Sequence, residues 1–195
     1  MQTSRFLLKA SVTIAIASAA LTGCTTTSIH PPAAMSADAR RQSIDAAVDS
    51  TLSRLYQTVP GSREFVGQAR GILVFPSVVQ AGVAIGGEHG DGALRVGGST
   101  TGYFSTTSVS VGATLGVQSK SVVYLFMTQD ALDKFRQSQG WSVGGDASVA
   151  IVNVGANGTV TTATATKPVE VFVLTNSGLI GNLSLEGTKI TRLAL

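Results

Sequence analysis

Charged residues are scarce in this sequence. They make up 13% of the 195-residue chain, about half of the roughly 25% found in an average soluble protein. The formal net charge is +3, and without Arg5 and Lys9, which lie in an N-terminal segment that we expect to be removed, 12 basic residues face 11 acidic ones. A nucleic-acid-binding surface needs a stripe of positive charge. We therefore expect no nucleic-acid partner.

Cysteine and histidine are also rare, with one cysteine, Cys24, and two histidines. A disulfide framework and a thiolate metal cluster are thereby excluded. The string Gly140-Trp141-Ser142-Val143-Gly144 matches the G-x-S-x-G nucleophile elbow, but it follows a predicted helix, and both histidines precede Ser142. No P-loop, G-x-G-x-x-G or H-E-x-x-H motif occurs. We predict that the protein is not an enzyme and has no catalytic residues.

One acid–base cluster is present, in the glycine-rich stretch 82–92, where Glu88, His89 and Asp91 stand within four residues. A general base or a metal site is a weak candidate there, because side chains this close in sequence usually point apart. We interpret the stretch as a solvated hairpin connection whose glycines take the positive-φ positions of the turn. No metal is predicted.

The N-terminal segment has the order of a secretory signal: two basic residues, then an apolar run from Val12 to Leu21 that is too short to span a bilayer. Its end, Leu21-Thr22-Gly23-Cys24, resembles the lipobox of bacterial lipoproteins. The resemblance implies that residues 1–23 are a signal peptide and that Cys24 carries a diacylglycerol and an N-acyl chain, with no other cofactor. Several acyl chains give a stable membrane anchor. Residues 24–36 are predicted to be a flexible tether.

Residues 37–195 are predicted to form one α+β domain, with N-terminal helices on a glycine-rich, mainly antiparallel sheet or partly closed barrel. Apolar spacing of three and four predicts helices over 37–56, 62–70 and 128–140. Strands are predicted at 71–75, 78–85, 93–96, 102–107, 108–117, 122–127, 147–154, 159–166, 169–175 and 179–193. The run 108–117 alternates strictly, so we expect one face to be buried, formed by Val109, Val111, Ala113, Leu115 and Val117.

Three motifs follow one another in order: A-R-G-I-L-V-F-P (69–76), A-G-V-A-I-G-G-E-x-G-x-G (81–92) and W-S-V-G-G-D-A-S-V-A (141–150). Together they resemble the SYLF-domain family, which includes yeast actin-patch regulators, lipid-binding relatives in animals and plants, and bacterial lipoproteins. The resemblance covers about residues 40–193. It implies a β-rich domain with N-terminal helices that binds phospholipid or phosphoinositide headgroups. A bacterial envelope lipoprotein meets no actin in its own compartment, so no actin partner is expected.

Arginines near the N-terminal helices are the candidate lipid-binding residues, because a guanidinium binds phosphate bidentately. They are Arg40, Arg41, Arg54, Arg63 and Arg70. We thus predict a lipid-anchored protein of the bacterial envelope that binds phospholipid headgroups or acyl ligands without catalysis. Thr25 after the cysteine implies the outer membrane, with its periplasmic and surface faces both open. The alternative is a structural or protein-interaction module of the envelope that has no ligand of its own.

Overall fold

The computed structural model describes residues 35–83, 85–111, 116–152, 160, 167–176, 178–179, 185 and 187–195. Residues 35–195 form one compact unit. It contains helices and a strongly curled, mainly antiparallel sheet of nine strands, a half-barrel. This confirms the predicted α+β class. The predicted signal peptide, Cys24 and most of the predicted tether lie outside the described residues.

The bounds of the elements are as follows. The helices are α1 (Ala37–Thr58), α2 (Ser62–Gly67) and α3 (Gln129–Gln137). The strands are β1 (Gly71–Val83), β2 (Ile85–Val96), β3 (Ser99–Val111), β4 (Gly116–Phe126), β5 (Trp141–Ser142), β6 (Val149–Ile151), β7 (Val169–Thr175), β8 (Gly178–Leu179) and β9 (Lys189–Arg192). The order in the sheet is β5-β9-β3-β2-β1-β4-β7-β6, with β8 paired to β7. Only the β6–β7 pair is parallel among these described strands.

Helix α1 begins and ends at the residues that its sequence dictates. The Ser36 side chain accepts a hydrogen bond from the Ala39 amide at 3.2 Å, which caps the N-terminus. The helix stops before Pro60, which has no amide hydrogen to donate, and Gly61, which has a positive φ of 82°. As predicted, its apolar stripe packs on the domain, with Ile44, Val48, Leu52 and Leu55 buried. None of the helices in the described part of the chain has the length and apolar character needed to cross a bilayer.

The sheet has a core on each face. We call the side that packs against α1 and α2 the α1 face; its buried residues include Val74, Ala93, Val123, Leu125 and Phe172. The other side, the α3 face, packs against α3 and Trp141; its buried residues include Leu73, Phe75, Tyr124, Phe126 and Val171. Strand β4 contributes to both cores, which confirms the central strand predicted from its run of apolar residues over 122–127.

The glycine-rich stretch 82–92 holds the connection between β1 and β2 only at its start, since β1 ends at Val83 and β2 begins at Ile85; the rest is not the predicted loop. It lies mostly in β2, which pairs with β1 through two segments separated by a register shift between Val74 and Val79. Beside that irregularity, a Cβ at Gly90 would stand 2.5 Å from the Ser77 carbonyl oxygen, and one at Gly92 would collide with the Val74 carbonyl oxygen. Neither glycine has a positive φ. These glycines are therefore needed for close approach of two backbones, not for a turn.

The burial predicted for one face of 108–117 is wrong at Val109 and Val117, while the side chains of Val111, Ala113 and Leu115 lie outside the part that the structure describes. Strand β3 ends at Val111 and β4 begins at Gly116. Val109 and Val117 are 75% and 74% exposed, whereas Ser108, on the opposite side of β3, donates a hydrogen bond to the largely buried side chain of Glu88. Alternation divides a strand into two faces, but only the fold decides which face is covered.

The remaining differences concern the ends of elements. The Thr128 side chain caps α3 as predicted, accepting from the Ala131 amide at 3.2 Å, but the helix ends at Gln137 rather than Gly140 because Ser138 is extended. Helix α2 ends at Gly67, not at residue 70. The strand at 169–175 is confirmed. The predicted strand 159–166, except residue 160, and much of 179–193 lie outside the described residues.

The close approach at Gly92 gives a test of the β1–β2 contact. Gly92→Ala should lower the free energy of unfolding by about 2–3 kcal/mol, because its methyl group has no room beside Val74. Gly87→Ala is the matched control in the same strand: nothing lies within 4 Å of its Cβ position, and we expect a change within about 0.5 kcal/mol. Urea denaturation of the full chain followed by circular dichroism measures both. Equal stability of the two variants would contradict this account.

Candidate functional site: a cavity between helix α1 and strand β4

A cavity of about 370 Å³ opens on the α1 face of the sheet. Its walls come from the second half of α1, the irregular segment of β1, the first half of β4 and the end of β7. Half of the twelve lining residues carry a hydroxyl group: Ser50, Thr51, Ser77, Ser119, Ser121 and Thr175. Arg54, Lys120 and Asn176 also line the cavity, and no aspartate or glutamate does so among the described residues. Ala47, Pro76 and Leu174 complete the lining, so nine of these twelve described residues are polar and none is negatively charged.

Arg54 is held at the cavity wall by a chain of hydrogen bonds. Its Nη2 donates to Ser121 Oγ at 2.7 Å, and Ser121 Oγ donates to the Pro76 carbonyl oxygen at 2.6 Å. Beside them, the hydroxyls of Ser77 and Ser119 lie 2.9 Å apart. No carboxylate pairs with Arg54 in the part of the chain that the structure describes. A guanidinium has five N–H donors, so an oriented positive charge with further donors faces the cavity.

Lys120 lines the cavity, but its ammonium group is engaged elsewhere. Lys120 Nζ lies 2.9 Å from Glu88 Oε1, in a pair whose side chains are only 11% and 10% exposed. Ser108 Oγ donates to the other oxygen of Glu88 at 3.0 Å. Burial, and after it the charge of Glu88, raises the pKa of Tyr124, which belongs to the α3-face core. The pair therefore lies toward the α3 face and supports the cavity from behind.

The cluster of Glu88, His89 and Asp91 does not form one site. Glu88 is turned toward Lys120, whereas His89 and Asp91 project from the other face of β2, with His89 Nε2 3.7 Å from Asp91 Oδ1. The Ser105 hydroxyl lies 3.5 Å from His89 Nδ1. No group of three metal-ligating side chains is found among the described residues. Successive side chains of a strand point to opposite faces, so Glu88 is separated from His89 and Asp91, as their spacing predicts.

Two of the five candidate arginines are held by contacts near the start of α1. Arg40 Nη2 lies 2.5 Å from Asp91 Oδ2. Arg41 pairs with Asp38 at 2.7 Å and donates to the carbonyl oxygen of Leu195. Their side chains remain 41% and 38% exposed. Both guanidinium groups therefore tie the start of the helix to other parts of the domain.

The other three candidates lie farther along the chain. The Arg63 guanidinium stacks over the Tyr56 ring, 4.3 Å from its centroid. Arg70 is exposed just before β1, where its backbone amide donates to the Phe126 carbonyl oxygen at 2.8 Å. Of the five arginines, Arg54 alone lines the cavity described above. The structure thus places the candidate residues at separate positions.

Acidic residues of α1 are also used in packing. Asp45 accepts hydrogen bonds from the hydroxyls of Thr100 and Tyr103, each at 2.8 Å, and Asp49 pairs with Arg95. Burial, and the hydrogen bond to the Asp45 carboxylate, raise the pKa of Tyr103. These contacts direct two of the three aspartates of the helix toward β2 and β3. The end of α1 that carries Arg54 faces hydroxyl groups instead.

Sequence reasoning missed Ser77, Ser119 and Ser121. They lie within long uncharged segments, where serine is as common at solvated strand positions as at binding sites. Only the pairing of β1 with β4 brings Ser77 to Ser119, and only the packing of α1 brings Arg54 to Ser121. Of the residues that line the cavity, only Arg54 was identified as a candidate binding residue from the sequence.

Ser142, in the G-x-S-x-G string, lies in a strand followed by a turn. Its backbone amide donates to Asp146 Oδ2 at 2.6 Å, and Gly144 takes a φ of 87° within the turn. A nucleophile elbow connects a strand to a helix. The local context therefore differs from that of a serine hydrolase.

The fold and the cavity define an α+β domain with a curled sheet and a mainly polar site in which Arg54 has no carboxylate partner among the described residues. Residues 107–193 match the model of the family described as Ysc84: Las17-binding protein actin regulator. This match is to the SYLF family that the sequence motifs resemble, and so confirms that resemblance for residues 107–193. No curated protein matches the sequence. The matched segment includes Ser119 and Ser121 of the cavity, while Arg54 and Ser77 precede it.

The buried Lys120–Glu88 pair gives a test of the cavity's support. Lys120→Met should destabilise the full chain by about 3 kcal/mol, because it leaves a carboxylate without its partner in a buried position. Adding Glu88→Gln should restore part of that loss. Lys134→Met removes the exposed pair with Asp130 and is the control, with an expected cost below about 0.5 kcal/mol. Thermal and urea unfolding measure all three; a similar small cost for both lysines would refute the buried-pair assignment.

Proposed function

We propose that this domain is a non-enzymatic module that binds the phosphate group of a phospholipid headgroup in the Arg54 cavity. The family match supports a lipid-binding or interaction module in general. The observation that carries the finer proposal is the composition of the cavity: an arginine without a carboxylate partner among the described residues, surrounded by hydroxyl groups.

The chemistry of this lining suits a phosphate monoester or diester. Arginine donates charge-assisted hydrogen bonds to phosphate oxygens, and serine or threonine hydroxyls add neutral donors at the same oxygens. A carboxylate in the wall would repel the ligand, and none is found among the lining residues that the structure describes. The volume of about 370 Å³ accommodates a glycerol phosphate or a similar headgroup. The polar lining favours a headgroup over an acyl chain.

The proposal of a binding module rather than an enzyme has support in the geometry of the titratable groups. Glu88 points toward Lys120 and away from His89, and it is the backbone amide of Ser142 that donates to the Asp146 carboxylate. In the cavity, Arg54 is a donor and a positive charge, and serine hydroxyls that bond to one another or to backbone oxygen are not activated by a general base.

The proposed location follows from the sequence. Acylation at Cys24 would attach the chain to a membrane of the bacterial envelope, which we propose to be the outer membrane. A phospholipid headgroup is then the most abundant phosphate near the domain. The described unit begins at Met35, only 11 positions after that cysteine, and such a segment spans at most about 40 Å when extended. The anchor would thus hold the cavity close to its ligand.

A second function is favoured by the name of the matched family, which describes a Las17-binding actin regulator. In that case the domain is a protein-interaction module of the envelope, and the lipid anchor supplies location only. A chain that binds no phosphate but can be cross-linked to a specific envelope protein would support this alternative.

Binding of glycerol phosphate to the full chain tests the headgroup proposal. In isothermal titration calorimetry, Arg54→Gln should weaken binding roughly 10- to 100-fold, because it removes a charge-assisted contact. Arg63→Gln, an exposed arginine outside the cavity, is the matched control and should change affinity less than about twofold. Added salt should weaken binding to the parent chain. Equal effects of the two substitutions, with folding retained, would reject the cavity as the binding site.

Attachment at Cys24 has its own test. Cys24→Ser should abolish incorporation of labelled palmitate in bacterial cells and move the protein out of the lipidated membrane fraction, because the only thiol of the chain is lost. Ser28→Ala, in the predicted tether, should leave labelling unchanged. Palmitate incorporation into the Cys24→Ser chain would overturn the assignment.

A further inference from the structure

Exposed apolar side chains are concentrated at one end of the sheet. Of the four large apolar side chains that are exposed in the described residues, Val79, Val109 and Val117 lie on the α1 face at the ends of β1, β3 and β4; the fourth is Met35, before α1. Their exposed fractions are 41%, 75% and 74%. We call Val79, Ala81, Val109 and Val117 the valine patch.

The strand register makes the patch continuous. Val109 is paired with Gly87, Gly87 with Ala81, and Ala81 with Val117. Three residues of the patch and Gly87 thus form one row across β3, β2, β1 and β4. Such a row spans about 14 Å. Val79 stands in the next row along β1, opposite Ser119. Nothing lies within 4 Å of the Cβ position of Gly87, so the centre of the row is open as well.

The patch is built from two uncharged segments of the sequence, with the exposed His89 of β2 paired to Val79 at its border. No aspartate, glutamate, lysine or arginine occurs between Arg70 and Glu88 or between Arg95 and Lys120. Exposed strands in water are usually protected by charged residues, lysine above all, and protein interfaces have a polar rim. A charge is costly in hydrocarbon. An apolar surface set in two charge-free segments therefore fits the lipid bilayer better than water or a protein partner.

The patch is also continuous with the Arg54 cavity. Val117, Ser119 and Ser121 follow one another on the same face of β4, and the last two line the cavity. Four residues of a strand extend about 13 Å. Apolar surfaces of peripheral proteins enter about 5–10 Å into the boundary between headgroups and acyl chains. With Val117 at that depth, Ser121 and the Arg54 guanidinium stand at the level of the headgroups.

We propose that the valine patch inserts into the bilayer interface and sets the depth at which the Arg54 cavity receives a lipid phosphate. The inference rests on the proposed headgroup function and adds the surface that contacts the membrane. The bilayer itself is the partner of the patch, and the anchor at Cys24 is not required for the contact.

Site-specific fluorescence tests this orientation. The full chain with Cys24→Ser has no other thiol, so Val117→Cys and, separately, Gln139→Cys can each carry one environment-sensitive NBD label. Both positions are exposed, and Gln139 lies beyond α3. With vesicles of phosphatidylethanolamine and phosphatidylglycerol, the Val117 label should shift to the blue and be quenched by nitroxide lipids. The Gln139 label should do neither. Both labelled variants have the same N-terminal segment, so membrane binding through that segment cannot produce a difference between them.

Charge substitution gives a second measurement. The double variant Val109→Glu, Val117→Glu in the same Cys24→Ser chain should weaken vesicle binding roughly 10- to 100-fold, because two apolar contacts are lost and two charges enter the interface. Gln139→Glu adds one charge elsewhere and should have an effect below about twofold. Both valines are exposed, so we expect the variant to fold.

The outcomes separate the inference from the proposed function. A Val117 label that stays in water on vesicle-bound protein overturns the inference, and if glycerol phosphate still binds, the headgroup proposal stands. Insertion of the label without phosphate binding rejects the headgroup proposal and supports membrane insertion by the patch. A blue shift that needs no vesicles and grows with protein concentration overturns the inference in favour of a second copy as the occupant.

Discussion

Helix α1 packs across one face of the sheet, and the position of that helix determines the rest of the α1 face. Its buried stripe contacts the core that contains Val74, Val123 and Phe172. Polar contacts from Asp45 and Asp49 fix the helix to β2 and β3. The register of the helix then carries Arg54 to Ser121, where β4 forms the wall of the cavity. A shift of one helical turn would remove the guanidinium from that wall.

The second constraint is the close approach of β1 and β2. Gly90 and Gly92 let the irregular segment of β1 lie against β2, and this irregularity presents Ser77 beside Ser119. The same segment supplies the Pro76 carbonyl oxygen that orients the Ser121 hydroxyl. Small residues in β2 therefore support a polar site that they do not line. On the opposite side, the Lys120–Glu88 pair occupies the space behind the cavity.

Much of the fold could be predicted from the sequence, because the strongest signals were local. The stripe from Ile44 to Leu55 predicted α1, and Thr128 predicted the start of α3. The errors arose where a local pattern has two meanings. Glycines at 90 and 92 serve a turn or a close backbone approach equally well, and the alternation around Val109 does not state which face is covered. Both questions are decided by contacts between residues far apart in the chain.

The site was less predictable than the fold. Five arginines were chosen by their type and by their position near the helices, yet contacts with Asp91, Asp38 and the Tyr56 ring engage three of them. A sequence does not show which charges are neutralised by distant partners. Nor does it show that Ser77 and Ser119 meet, since 41 residues separate them. The uncharged segments were visible in the sequence, but their relation to one exposed surface depends on the strand register.

The central claim is that a lipid phosphate binds at Arg54, and a solid-state NMR distance tests it most directly. The full chain, with arginine labelled with ¹³C at Cζ, would be reconstituted in phosphatidylglycerol-containing vesicles, and the dipolar coupling between lipid ³¹P and each resolved Cζ would be measured. The Arg54 signal would be assigned by its loss in Arg54→Lys. The account predicts a strong coupling at Arg54, at hydrogen-bonding range, and none of that strength at Arg63. A strong coupling at Arg63 with none at Arg54 would contradict it.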